Sequence, residues 1–188
     1  PSYQWRLAVE GGYNAIACHW GMARRYMKEY AGRVPLVAEA SGVAILGNYA
    51  YVSAGQAGFY VVDISDPRSP TVVSSYDTEK RADAVAVART YEPTGDVRDI
   101  AFLIEGTEGI VTFDITDPSD IIDFGEGTTA VDGKGLCVVP AAVIGDPYLV
   151  YLADSWKGVR VFWSIPEVPG RLDYRAFVNT HGYTQALD

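Results

Sequence analysis

Two histidines, two cysteines and two pairs of aspartates are the side chains of this 188-residue sequence whose type and spacing bear on chemistry. His19 follows Cys18 directly and precedes Trp20. Neutral imidazole is a common metal ligand, so one reading makes His19 a ligand to a haem or metal supplied by a partner. The reading we expect is a histidine packed and hydrogen-bonded at an interface. His181 stands in the loop Asn179-Thr180-His181-Gly182-Tyr183. There it is either a structural turn residue, as we expect, or a metal or small-ligand site at a channel mouth. Cys18 and Cys137 lie outside any CxxC or CxxCH context, so they build neither a zinc cluster nor a covalent haem site by themselves. A Cys18–Cys137 disulfide and two separate thiols both remain open.

The aspartates come as Asp63 with Asp66 and Asp114 with Asp117, each pair ending in Asp-Pro. Calcium needs several oxygens converging on one site, which one such turn does not supply. An Asp side chain in a turn commonly binds backbone N–H groups a short way on, and that structural role is the expectation here. The sequence holds no nucleophile elbow, Walker loop, GxGxxG unit or HExxH. No catalytic residue and no cofactor is therefore expected, with the partner-supplied haem or metal as the alternative.

What must position these residues is a repeat. Residues 47–70, 99–120 and 148–170 share one plan, and Gly58, Gly109 and Gly158 recur about 50 residues apart. Each unit has an apolar run (Ala50–Ser53, Ile100–Ile104, Leu149–Leu152), a short loop ending in that Gly, and a return run (Phe59–Ile64, Ile110–Ile115, Val159–Trp163). A Pro-containing turn follows. One more apolar run precedes each hairpin (Gly42–Leu46, Ala84–Ala88, Gly135–Val139). Another follows each turn (Thr71–Tyr76, Ile121–Phe124, Leu172–Phe177). Four short strands per unit of this length are the signature of a propeller blade. The fold class predicted is all-β, with propeller blades of four antiparallel strands forming an incomplete ring. Two insertions, Thr90–Val97 and Pro140–Pro147, fall between the same two strands of the second and third units. They read as tolerated surface loops, with a functional role on one propeller face as the alternative. Tyr51, Tyr60, Phe102, Phe113, Tyr151 and Phe162 are assigned to packing between blades.

The segments resemble the LVIVD repeat family. Ala50-Tyr51-Val52, Gly58 and Val61-Val62-Asp63-Ile64-Ser65-Asp66-Pro67 carry the resemblance, as do Gly109 and Phe113-Asp114-Ile115-Thr116-Asp117-Pro118. The third unit departs, with Trp163 in place of the Asp and Ser164-Ile165-Pro166 after it. The resemblance covers residues 36–188 and implies a β-propeller on secreted, periplasmic or cell-surface proteins of bacteria and archaea. It implies no particular activity.

Residues 1–34 stand apart from residues 35–188. Asn14–Tyr30 predicts an amphipathic helix capped by Asn14, with Ile16, His19, Trp20, Ala23, Tyr26, Met27 and Tyr30 on one stripe. Arg24 and Arg25 line the other side. Trp20, Arg24, Arg25 and the loop residue Trp156 are the candidate interaction residues. A basic amphipathic helix also suits a membrane surface or an acidic partner.

The formal charge of −9 makes nucleic acid a poor partner. No apolar run approaches the ~20 residues of a membrane span. The sequence starts at Pro1, and Arg171–Asp188 reads as an outer strand followed by the start of another blade. That points to a processed protein or a piece of a longer one. Three and a half blades leave bare faces, so other protein chains or the rest of the same propeller are the expected partners. The functional expectation is a non-catalytic structural or protein-interaction module. The alternatives are a subunit of a periplasmic redox or metal-dependent enzyme, and a carbohydrate-binding propeller using Trp156 and Tyr91.

Overall fold

The computed structural model describes residues 5–10, 13–18, 32–91, 93–107, 109–129, 132–141 and 143–180. All twelve strands expected of the three units are present. Blade 1 is the antiparallel sheet β4 (Gly42–Leu46), β5 (Tyr49–Ser53), β6 (Phe59–Asp63) and β7 (Thr71–Tyr76). Blade 2 is β8 (Ala82–Tyr91), β9 (Val97–Glu105), β10 (Gly109–Asp114) and β11 (Ile122–Thr129). Blade 3 is β12 (Gly133–Val139), β13 (Leu149–Asp154), β14 (Gly158–Ser164) and β15 (Leu172–Val178). Each blade is a meander whose strands pair in sequence order, and the first strands β4, β8 and β12 are neighbours from blade to blade.

Because side chains alternate across a strand, each blade has two faces and each face meets a different neighbour. Tyr51, Phe59 and Val61 of blade 1 pack on Ala101, Leu103, Val111, Phe113 and Ile115 of blade 2. The alternate residues of blade 2, Ile100, Phe102, Ile104 and Ile110, pack on Leu136, Val150, Leu152, Phe162 and Leu172 of blade 3. Tyr51, Phe102 and Tyr151 occupy equivalent positions on the forward face of their blades, and Val62, Phe113 and Phe162 do so on the rear face. The aromatics that the sequence assigned to interblade packing thus include Tyr51, Phe102, Phe113 and Phe162, all fully buried. Tyr60 is only half-buried and packs on the rear face of blade 1.

The third unit, weakest in sequence, is tied in by the same bond as the others. Around the end of the third strand of each blade, a backbone N–H donates to a carbonyl near the start of the second strand: Ile64 to Asn48 (2.9 Å), Ile115 to Asp99 (2.9 Å) and Ser164 to Tyr148 (3.0 Å). Polar stitches also cross the seams. Ser41 Oγ donates to the Ala82 carbonyl (2.7 Å), Ser74 Oγ to the Pro118 carbonyl (2.6 Å) and Thr112 Oγ1 to the Gly170 carbonyl (2.9 Å). Of the three, Thr112 is fully buried, and without this bond its hydroxyl would be desolvated with no partner.

The N-terminal segment corrects the sequence reading. A helix beginning at Asn14 is not formed: Asn14 lies in β2 (Tyr13–Cys18), which pairs antiparallel with β1 (Trp5–Glu10). Glu10 pairs with Tyr13, so the two residues between the strands are Gly11 and Gly12, a dipeptide favoured in two-residue hairpins. Residues 13–18 are held as a strand by this local pairing and by β3 (Arg33–Val34), which pairs with β2; the rest of the segment expected to be helical, residues 19–30, lies outside the described residues. His19, Trp20, Arg24 and Arg25 lie outside the described residues. The rear face of blade 1, built on Ala50, Val52 and Val62, is covered by Val34, Leu36 and Ala40.

Candidate functional site

The two Asp-Pro turns have the geometry of consecutive side-chain-capped turns. Asp63 Oδ1 accepts the Ser65 N–H (2.8 Å) and Asp66 Oδ1 that of Arg68 (2.9 Å). Asp114 Oδ1 accepts the Thr116 N–H (2.9 Å) and Asp117 Oδ1 that of Ser119 (2.9 Å). Every carboxylate is thus turned back on its own backbone, the structural role read from the sequence. In blade 3, Trp163 stands where the first Asp would be. The guanidinium of Arg175 lies 3.5 Å from the centre of its ring, and Ser164 Oγ accepts the Tyr148 N–H (3.0 Å).

Sequence reasoning missed the charged pairs. Asp154 is fully buried, paired with the guanidinium of Arg160, and accepts the Asp132 N–H at 3.2 Å. Arg98 pairs with Asp114, and Arg89 grips Asp99 through two bonds of 2.8 Å. Tyr76 Oη donates to Asp123 across the seam between blades 1 and 2 (2.7 Å), 47 residues away in sequence. No local signal marks such partners, because strand pairing and blade stacking bring them together.

These contacts set the pH response. The hydrogen bond to Asp123, then burial, pushes the Tyr76 pKa up to about 12. Burial, then the charge of Asp99, does the same for Tyr51, to about 12. The hydrogen bonds from Ser65 and Ser119 hold Asp63 and Asp117 below the usual carboxylate range. Burial alone would raise Asp114, but the bonds from Thr116 and Arg98 outweigh it and the net shift is downward. A raised tyrosine pKa means that the folded state holds its proton longer than the unfolded chain. That stabilisation is complete below pH 10 and disappears as pH rises to about 12. The depressed carboxylates stabilise the fold above pH 3.8 and lose that contribution as pH falls further. Urea midpoints should therefore fall at both extremes, and Tyr76→Phe should shrink the alkaline drop. An equal alkaline drop in the variant would contradict the assignment.

Two apolar features remain uncovered. On blade 3, Cys137, Leu149, Tyr151, Val159, Val161 and Trp163 share the forward face, in register Cys137↔Tyr151↔Val161 and Leu149↔Trp163. These side chains are half-buried, and among the described residues no fourth sheet lies on them. Cys137 is a free thiol. At one end of the ring, the connections between first and second strands of blades 2 and 3 carry exposed apolar residues. Trp156 lies in the 3-10 turn Ser155–Lys157 between β13 and β14. His181, like His19, lies outside the described residues. Among the described residues no group of three or more His, Cys, Asp or Glu could hold a metal, and no helix is long and apolar enough to cross a membrane.

The glycine-ended hairpin, the Asp-capped turn and the outer strand of blade 1 together form a unit bounded by Gly42 and Tyr76. Residues 38–78 match the LVIVD repeat family. The LVIVD match therefore spans one blade, and blades 2 and 3 repeat its plan in structure. Among solved structures, the chain is similar to the N-terminal domain of Nup159, at 10% identity over 92% of this chain and 41% of that one, with a TM-score of 0.50. It also matches a chain in the S. cerevisiae Dbp5 L327V structure with Nup159, Gle1 H337R, IP6 and ADP (11% identity, 93% and 41% covered, TM-score 0.48). A third match is the computationally designed Ika4 protein (13% identity, 81% of each chain covered, TM-score 0.48). The first of these supports the β-propeller fold and nothing about activity. The chain spans about two-fifths of the Nup159 domain's length. No curated protein sequence matches it.

Proposed function

We propose that this chain is a non-catalytic β-propeller module, structural and protein-binding, of an exported or cell-surface protein, and that further protein closes the forward face of blade 3. One observation carries the reading. Tyr151, Val159 and Val161 occupy the positions at which Tyr51, Phe59 and Val61 bury themselves against blade 2. A face with that composition gains roughly 25 cal/mol for each Å² of apolar surface removed from water. Left bare, it is an association site. The LVIVD match supports an exported setting, as that family's repeats imply.

The 188-residue chain alone should bind the apolar dye ANS and self-associate as concentration rises. Tyr151→Lys with Val161→Lys should suppress both while leaving the far-ultraviolet spectrum unchanged. A wild-type chain that stays monomeric, without dye binding, would overturn the open-face reading. Stoichiometric metal or visible absorption in the native complex would overturn the non-catalytic part, and a purely cytosolic native polypeptide the exported part.

A further inference from the structure

The end of the ring at which first and second strands join is not equivalent in the three blades. In blade 1 the join is a two-residue turn, with Leu46 paired to Tyr49. In blade 2 the strands continue past the equivalent pair, Ala88↔Ile100, through Arg89↔Asp99, Thr90↔Arg98 and Tyr91↔Val97. Three further pairs lift the ribbon by about 10 Å. The insertion expected to be a loop therefore begins and ends as a continued β-ribbon, at Thr90, Tyr91 and Val97. In blade 3, the residues after Val139 form the neighbouring connection, and it leans on the ribbon: a Cβ placed on Gly145 would lie 3.8 Å from Pro93 Cα.

The two connections are anchored at their bases and apolar at their crests. Thr90 is buried and its hydroxyl donates to the Arg98 carbonyl (3.0 Å). Tyr148 is buried against Phe102, ring centres 5.4 Å apart. The Asp146 N–H closes a turn onto the Val143 carbonyl (3.1 Å). Yet Tyr91 and Val97 are 41% and 47% exposed, and Val143 and Ile144 are 60% and 59% exposed. A crest held this way loses little conformational freedom on binding.

We infer that this crest docks a protein partner whose contact surface is apolar and rimmed by Lys and Arg. Charge decides the rim. The segments Thr90–Val97 and Pro140–Pro147 contain Glu92, Asp96 and Asp146 and no Lys or Arg. The two arginines at the ribbon's base are engaged, Arg89 with Asp99 and Arg98 with Asp114. The whole chain carries a formal charge of −9. An acidic rim on an acidic chain repels an anionic membrane and attracts a basic partner. The inference rests on the reading of the chain as a protein-binding module and adds where it binds and to what.

The test is a selection of phage-displayed random peptides on the full chain, with the enriched peptides synthesised and titrated by calorimetry. They should combine large apolar residues with Lys or Arg, and should bind more weakly as salt is added. Val143→Ser with Ile144→Ser, and separately Tyr91→Ser, should weaken them roughly tenfold without altering the melting temperature. Peptides that instead lose affinity on Val161→Lys would overturn the crest while leaving the module reading intact. No enrichment at all would overturn both. Binding of the chain to phosphatidylcholine or phosphatidylserine vesicles that Val143→Ser with Ile144→Ser abolishes would make the crest a membrane contact and overturn the inference.

Discussion

Phe113→Ala is expected to lower the unfolding free energy by about 3–5 kcal/mol, the range for a buried aromatic truncated to Ala. The residue is fully buried on the rear face of blade 2. Its ring centre lies 5.5 Å from that of Phe59, stacked, and 4.9 Å from that of Tyr76, edge-on. Such pairs add about 0.5–1.5 kcal/mol beyond the area they bury. The cavity would open between two hydrogen-bonded sheets, neither of which can move in without breaking the Ser74 and Tyr76 bonds across the seam. Phe113→Leu keeps most of the volume and should cost less than half as much. Urea denaturation of both variants checks this. A loss below about 1 kcal/mol for the Ala variant would mean that the interface collapses freely and that blade stacking is not the main source of stability.

Gly58→Ala should cost roughly 2–5 kcal/mol, from backbone strain and from overpacking together. Gly58 has φ +82, where an L side chain is strained. A Cβ there would also stand 2.2 Å from the Tyr76 carbonyl oxygen and 2.8 Å from the Thr78 nitrogen. Both are backbone atoms at the end of the outer strand, so no side chain can rotate away. Gly158 repeats the arrangement, with φ +111 and the Val178 carbonyl oxygen at 2.1 Å. Gly47 separates the two effects: its φ is +61 but nothing lies within 4 Å. Gly47→Ala should therefore cost only about 1–2 kcal/mol. Equal losses at Gly47 and Gly58 would show that conformation alone, and not the close approach of the outer strand, requires the repeated glycine.

That glycine shows why so much of the fold was legible. Its recurrence in the sequence, flanked by apolar runs, marks a place where the chain needs a positive φ three times. The Asp-Pro turns were legible for the same reason, since Asp63, Asp66, Asp114 and Asp117 each accept the N–H of the residue two positions on. The helix expected from Asn14 misread a segment in which helical spacing and a Gly-Gly hairpin signal competed. Pairing with β1 and β3 decided it, and neither partner is visible in a window of helical periodicity.

The sequence by itself determined the blade: four strands, a glycine-ended hairpin and an Asp-capped turn, because each rests on contacts within a few residues or on the alternation of one strand. Tertiary structure alone decided the rest. It decided that Tyr51 and Phe102 are covered while Tyr151 on blade 3 is not, that Asp154 is buried against Arg160, and that β8 and β9 run on to Tyr91 and Val97 as a ribbon that Gly145 approaches at Pro93. The same residue type at equivalent positions has a different role depending on what stacks against it, and stacking between sheets leaves no period in the chain.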